Sequence, residues 1–151
     1  MKALLQRVTY GSCTVDGKIT GEIGKGLVIF FCAKDGDTDK DVKYLAEKCV
    51  NLRIFEDENG KMNCSLLDIG GDILAISQFT LYADSRKGRR PSFSGSGSPE
   101  QAEKFYNDFK EELAKFPTSV QSGIFGADMK IVIHNDGPAT FLLESENGVG
   151  I

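Results

Sequence analysis

The sequence predicts an α+β fold: a single domain in which two main helices pack on a curved, barrel-like mixed or antiparallel sheet. Three observations carry this. Short apolar segments bounded by Gly, Asp and Asn recur along the chain and read as six or seven strands. Two longer segments space their apolar residues as helices do. The chain has 151 residues, 40% hydrophobic and 26% charged, which suits one globular domain able to bury a core without staples. There is no internal repeat and no composition shift that would mark a linker.

The elements follow in order. "KALLQRVTYGSCTVDGKITGEIG" alternates as two strands around an Asp16-Gly17 turn. "GLVIFFCA", 26–33, is continuously apolar, as a central strand buried on both faces is. In 37–52, Val42, Leu45, Ala46, Cys49 and Val50 fall on one helical face, with Asp37 or Thr38 as the N-cap. "RIFED" is a short strand turned by "ENGK", and "DILAISQFTLYA", 72–83, is the next strong strand. A polar loop rich in Gly, Ser and Arg spans 84–98. Ser98-Pro99-Glu100-Gln101 opens the second helix, with a capping serine and proline at the first position. Phe105, Phe109, Leu113 and Phe116 line its inner face. Two or three strands close the chain, interrupted by "NDGPAT", which reads as a turn. The domain is expected over 1–145, with 146–151 a loose tail.

Composition narrows the function. No apolar run approaches the ~20 residues of a membrane span, and "MKALLQRV" lacks a signal-peptide core, so a cytoplasmic location is expected. Cys13, Cys32, Cys49 and Cys64 stand 19, 17 and 15 residues apart, without a C-x-x-C pair, and read as core or half-buried thiols. A net charge of −4 argues against non-specific coating of nucleic acid, while leaving room for a local basic patch.

Candidate chemistry is limited by a shortage. His134 is the only histidine, inside a strand pattern, so a Ser-His-Asp or Cys-His site would have to use it. A structural or surface role suits it better. Asp35, Asp37, Asp39 and Asp41 read as a solvated loop and helix start. No metal site and no cofactor are expected. An enzyme built from this chain would work with backbone amides and hydroxyls. "SQFTLYAD", 77–84, breaks into polar residues where a strand should end, which suits an oxyanion hole, although a strand with alternate residues in water reads the same way. "RKGRRPSF", 86–93, places Arg86, Lys87, Arg89 and Arg90 before Phe93. It reads as a phosphate-and-base patch or as a solvated basic loop.

Taken together and in this order, "LLQRVTYGSCTVDG", "SQFTLYAD", "RPSFS", "GADM" and "NDGPATF" resemble the D-aminoacyl-tRNA deacylases, also called D-tyrosyl-tRNA deacylases, from Met1 to about Ser145. Their two signature segments stand here as Ser77-Gln78-Phe79-Thr80 and Gly137-Pro138-Ala139-Thr140. The resemblance implies the fold of that family and hydrolysis of the ester joining a D-amino acid, or glycine, to the 3′-terminal ribose of tRNA. It implies a homodimer with the active site at the subunit interface. A cis Gly137-Pro138 would reach into the partner's pocket, where its carbonyls hold the substrate amino group and its backbone excludes an L side chain. Ser77, Gln78, Phe79 and Thr80 would form the catalytic strand end. Arg7 would support the Gly-Pro element, and Met129 would line the same region. The loop of Arg86, Lys87, Arg89, Arg90 and Phe93 would lie near the terminal adenosine or its phosphates. Assistance by the 2′-hydroxyl of that adenosine would agree with the shortage of histidine. The competing reading is a non-catalytic protein that binds RNA 3′ ends.

Overall fold

A computed structural model describes residues 1–151. The chain runs through β1 (Lys2–Val15), β2 (Lys18–Ile23), β3 (Gly26–Cys32), α1 (Asp39–Asn51), β4 (Phe55–Glu56), β5 (Met62–Cys64) and the short α2 (Leu66–Ile69). It continues through β6 (Asp72–Ser77), a 3₁₀ turn (Phe79–Tyr82), α3 (Pro99–Ala114), β7 (Val120–Ser122), β8 (Lys130–Glu146) and β9 (Val149–Gly150).

One mixed sheet carries the order β7-β6-β3-β1-β8-β9. Asp16 and Gly17 both take positive φ, 49° and 75°, the primed turn that a tight hairpin needs. The long β1 splits one edge between two partners. Its first half pairs with β3, its second half with β2, and β8 follows its other edge. That division bends the sheet, so β2 comes to lie against β6 and β7. A small core of Val8, Cys13, Ile23, Val28, Leu74 and Ile76 fills the resulting barrel-like fold. A larger core of 21 buried residues lies between the sheet and the helices. The central β3 feeds both: Leu27, Ile29 and Phe31 face the helices and Val28 the barrel, which accounts for its unbroken apolar run. It pairs in parallel with β6, starting so close that a Cβ on Gly26 would lie 1.9 Å from the Asp72 carbonyl oxygen. Only glycine fits there.

The helices match the spacing that predicts them. Val42, Leu45, Ala46, Cys49 and Val50 of α1 are buried, and Thr38 is the N-cap. In α3, Ser98 Oγ accepts from the Gln101 amide at 3.3 Å, and Phe105, Phe109 and Leu113 are buried. Tyr106 is buried beside them and donates its hydroxyl to the Ala75 carbonyl at 2.8 Å.

Four expectations change. The strand expected over 72–83 ends at Ser77 and gives way to the 3₁₀ turn. "NDGPAT" is not a hairpin turn but a bulge inside the single 17-residue β8. Asp37 and Asp41 are buried, not solvated. Asp37 takes the Met1 ammonium at 2.8 Å, and Asp41 accepts from Ser145 Oγ at 2.6 Å and the Gly148 amide at 2.8 Å. These bonds gather the start of α1 and the end of the chain. Residues 146–151, expected as a loose tail, turn back so that Val149 and Gly150 pair with β8. No helix is long and apolar enough to cross a membrane.

Candidate active site

The site is built where β6 stops. Ser77 is the last paired residue, opposite Phe31 of β3, and the Gln78 amide still donates to the Phe31 carbonyl at 2.8 Å. The chain then tightens into the 3₁₀ turn, whose first bond runs from the Leu81 amide to the Gln78 carbonyl at 3.2 Å. The amides of Phe79 and Thr80 lie ahead of that bond, as the first donors of any helical turn do, and have no carbonyl within the turn. Beside Phe79 opens a cavity of about 600 Å³. Its lining includes Ser77, Gln78 and Phe79 from the strand end and turn, Met129 and Ile131, and Phe93, Ser96 and Phe125. This apolar space with donors at its edge can hold an uncharged acyl group and polarise its carbonyl.

The Thr80 hydroxyl is exposed and accepts from the Gln78 side-chain amide, so its neighbour is neither a carboxylate nor an imidazole. His134 is exposed on β8 with its ring 5.2 Å from Tyr10, and it does not line the cavity. No group of three His, Cys, Asp or Glu side chains is gathered for a metal ion.

The polar loop flanks this cavity. An isolated bridge between Asp84 and Ser92 closes its base, and the Gly97 amide bonds the Ala33 carbonyl at 3.2 Å. Phe93 is brought edge-on to Phe79, centroids 5.1 Å apart, and both rings are exposed enough to meet a ligand. Of the four cations, Arg86 is engaged: its guanidinium grips the Asp84 carboxylate through Nε at 2.8 Å and Nη2 at 2.7 Å. Those bonds hold the Asp84 carboxyl well below the ordinary carboxylate range. Lys87, Arg89 and Arg90 are exposed and make no such pair.

The second signature segment lies elsewhere. β8 pairs with β1 on both sides of it, but the partner of Gln6 is Thr140 while that of Val8 is Asn135. Asp136–Ala139 therefore swell outward opposite Arg7. Gly137 takes φ +134°, which side chains rarely permit, and Gly137-Pro138 is cis. Arg7 is 4% exposed and props the swelling from beneath, donating through Nε to the Asp136 carbonyl at 3.0 Å and through Nη1 to the Ile54 carbonyl at 2.7 Å. The Asn135 side-chain amide closes the base, donating to the Arg7 and Ala139 carbonyls, each at 2.9 Å. Gly137 and Pro138 are exposed and point to no cavity of their own chain.

The two segments do not meet within one chain. β6 and β8 are separated by β3 and β1, which is three strand spacings, roughly 14 Å, and the segments are offset along the strands by about four residues, roughly 13 Å. A flat sheet would hold them roughly 19 Å apart. Met129 lines the cavity with Gln78 and Phe79. Asn135 is a residue of this site that the sequence reading does not single out. Asn135 adjoins the Gly-Pro motif, but its side-chain partners depend on the bulge.

Fold and site define a class: an α+β protein that presents main-chain donors beside an apolar cavity. Comparison with known proteins agrees. Residues 4–144 match the family described as D-Tyr-tRNA(Tyr) deacylase. A D-aminoacyl-tRNA deacylase of Clostridium botulinum (strain 657 / Type Ba4) is 57% identical over 145 residues, 96% of this chain and 97% of that protein. A D-aminoacyl-tRNA deacylase of Fervidobacterium nodosum is 55% identical over 146 residues, 97% of this chain and 98% of that protein. Among solved structures, the c-Myc DNA Unwinding Element Binding Protein superposes with a TM-score of 0.91 at 44% identity, over 97% of this chain and 99% of its own. A probable eukaryotic D-amino acid tRNA deacylase superposes at 0.80 with 18% identity, over 93% of this chain and 97% of its own, a likeness of fold alone. This chain belongs to the D-Tyr-tRNA(Tyr) deacylase family, and it is an enzyme of the hydrolase class.

Proposed function

We propose that this protein hydrolyses the ester between a D-amino acid and the 3′-terminal ribose of tRNA, releasing free tRNA and the D-amino acid. The reading rests on one observation above the others. β6 ends in a turn whose first residue, Phe79, lines an apolar cavity together with Ser77 and Gln78, and the Thr80 amide follows it in the same turn. In this reading the ester carbonyl oxygen sits at the amides of Phe79 and Thr80. Water adds to the carbonyl carbon, the bond to the ribose 3′-oxygen breaks, and that oxygen leaves as a hydroxyl after taking up a proton. The 2′-hydroxyl of the terminal adenosine assists the transfer, since Thr80 has Gln78 and not a base beside it. Ser77 and Gln78 hold the strand end in register with β3.

Selection for the D configuration falls to Gly137-Pro138. In a homodimer this exposed bulge enters the partner's cavity, its carbonyls receive the substrate amino group, and its backbone leaves no room for an L side chain. The separation of the two segments within one chain supports a site completed by a second copy. A filter that rejects by clash has no means of rejecting glycine, so glycyl-tRNA is also a substrate. Lys87, Arg89 and Arg90 take phosphates near the tRNA end, and Phe79 and Phe93 offer ring faces to a base. Such an enzyme works where charged tRNA is found, in the cytoplasm, as a proofreading step of translation.

The test compares amino acid release from D-Tyr-tRNA and L-Tyr-tRNA with dialysed protein. Fast release from the D form alone supports the deacylase and its chiral filter. Release from neither, with tRNA still bound, favours a protein that only binds RNA 3′ ends.

A further inference from the structure

We infer that Ser96, supported by Cys32, is a positioning residue that aims the main-chain amide of Thr80 at the reacting carbonyl. The inference rests on the site assigned above to the 3₁₀ turn. Two side chains from different parts of the fold converge on one atom. Ser96 Oγ donates to the Phe79 carbonyl oxygen at 3.0 Å, and Cys32 Sγ lies 3.5 Å from the same oxygen, sharing its one proton between it and the Ala33 carbonyl, also at 3.5 Å. That oxygen belongs to the peptide unit whose other end is the Thr80 N–H. A trans peptide is planar, with its C=O and N–H antiparallel. A pair of donors that fixes the carbonyl therefore fixes the direction of the Thr80 N–H on the opposite side.

A turn this short needs such anchoring, because 3₁₀ bonds have poor geometry and few neighbours to reinforce them. The anchors are themselves held. Cys32 ends β3, the strand that pairs with β6. Burial pushes its thiol up to about 11, so it stays protonated and able to donate at neutral pH. Ser96 precedes Gly97, whose amide is tied to the Ala33 carbonyl at 3.2 Å. Ser96, with Phe93 against the Phe79 ring, is a point at which the loop carrying Lys87, Arg89 and Arg90 touches the catalytic turn, so RNA held by that loop bears on the same peptide.

The experiment uses the full chain with D-Tyr-tRNA and the variants Ser96→Ala, Ser96→Thr and Cys32→Ala, with Ser94→Ala as a control in the same loop. Wild-type turnover is measured first; if it is absent, the deacylase reading fails before the positioning role is tested. With wild type active, Ser96→Ala should lower kcat about 5- to 10-fold, the rate equivalent of one neutral hydrogen bond. KM should stay within about twofold, because substrate contacts remain. Ser96→Thr, which keeps the hydroxyl, should recover most of the rate. Cys32→Ala should lose about two- to threefold, since a thiol is a weak donor. Ser94→Ala should match wild type. The Thr80 amide resonance should move in Ser96→Ala and return in Ser96→Thr, a readout that does not depend on turnover. An unchanged kcat in Ser96→Ala, a loss confined to KM, or a Thr80 resonance that stays in place would each overturn the assignment. If Ser96→Ala does not fold, an unchanged rate and Thr80 resonance in Cys32→Ala would do so.

Discussion

Replacing Arg7 with lysine tests the support beneath the Gly-Pro bulge. Arg7 reaches two carbonyls in different directions, Asp136 at 3.0 Å and Ile54 at 2.7 Å, from a side chain only 5% exposed. The lysine ammonium is a single point and cannot span both. One charge-assisted bond, worth about 1.5–3 kcal/mol, is lost, and a carbonyl is left without its donor. For a chain of this size each kcal/mol lowers Tm by roughly 2–4 °C, so Arg7→Lys should melt roughly 5–10 °C below wild type while still folded at room temperature. The bulge should also loosen, and with it the preference for D- over L-aminoacyl-tRNA. Thermal unfolding by circular dichroism gives the first quantity, and paired release assays give the second. A variant that melts within 1 °C of wild type and keeps its D/L ratio would refute the reasoning. A lower Tm with unchanged D/L ratio would leave Arg7 a strut with no part in selection.

Three further outcomes are expected. Burial alone would raise the Asp41 carboxyl, but hydrogen bonds from Ser145, Gly148 and Thr38 outweigh it and hold the group at about 2, below its ordinary 3.8. The stability this confers, about 2 kcal/mol, is complete above pH 4 and lost as pH falls toward 2. Asp41→Asn should therefore be less stable than wild type at neutral pH in urea titrations, with the gap closing in acid; a gap constant with pH would contradict the assignment. Affinity for tRNA, followed by filter binding against salt, should fall with a log–log slope of about −0.7 per phosphate contacted. Neutralising Lys87, Arg89 and Arg90 together should flatten the slope, whereas Arg86→Gln should leave it nearly unchanged because Asp84 already holds Arg86; an equal effect of Arg86→Gln would contradict this. Thr80→Ala should retain part of the turnover, since the proposed donors are main-chain amides, while Gly137→Ala should abolish chiral selection because a Cβ there meets Arg7 Nη2 at 3.0 Å at φ +134°. Complete loss of turnover in Thr80→Ala would contradict this and point to a covalent mechanism through its hydroxyl.

Much of this molecule is legible in the order of its residues. The 3.6-residue spacing from Val42 to Val50 and from Phe105 to Leu113 marks both main helices, because one face of each must be apolar to pack on a sheet. The unbroken run in β3 marks a strand covered on both sides. Ser98-Pro99 marks the start of α3, since cap chemistry is local. The two signature segments and their resemblance to a family also need nothing beyond the sequence.

Other features exist only after folding, because each depends on groups far apart in the chain. Whether Asp37 and Asp41 are solvated is settled by what covers them, which includes Met1 and Ser145 from the two ends of the chain. That 72–83 is a strand and then a turn depends on how far β3 extends to pair with it. That Asp136–Ala139 form a bulge and not a hairpin depends on β1 continuing past them, with Arg7 placed opposite to fill the gap. The convergence of Cys32 and Ser96 on the Phe79 carbonyl joins residues 64 positions apart in sequence. Periodicity and capping are properties of neighbouring residues and can be read from the chain. Register, burial of polar groups and the meeting of distant side chains are decided by the sheet that brings them together.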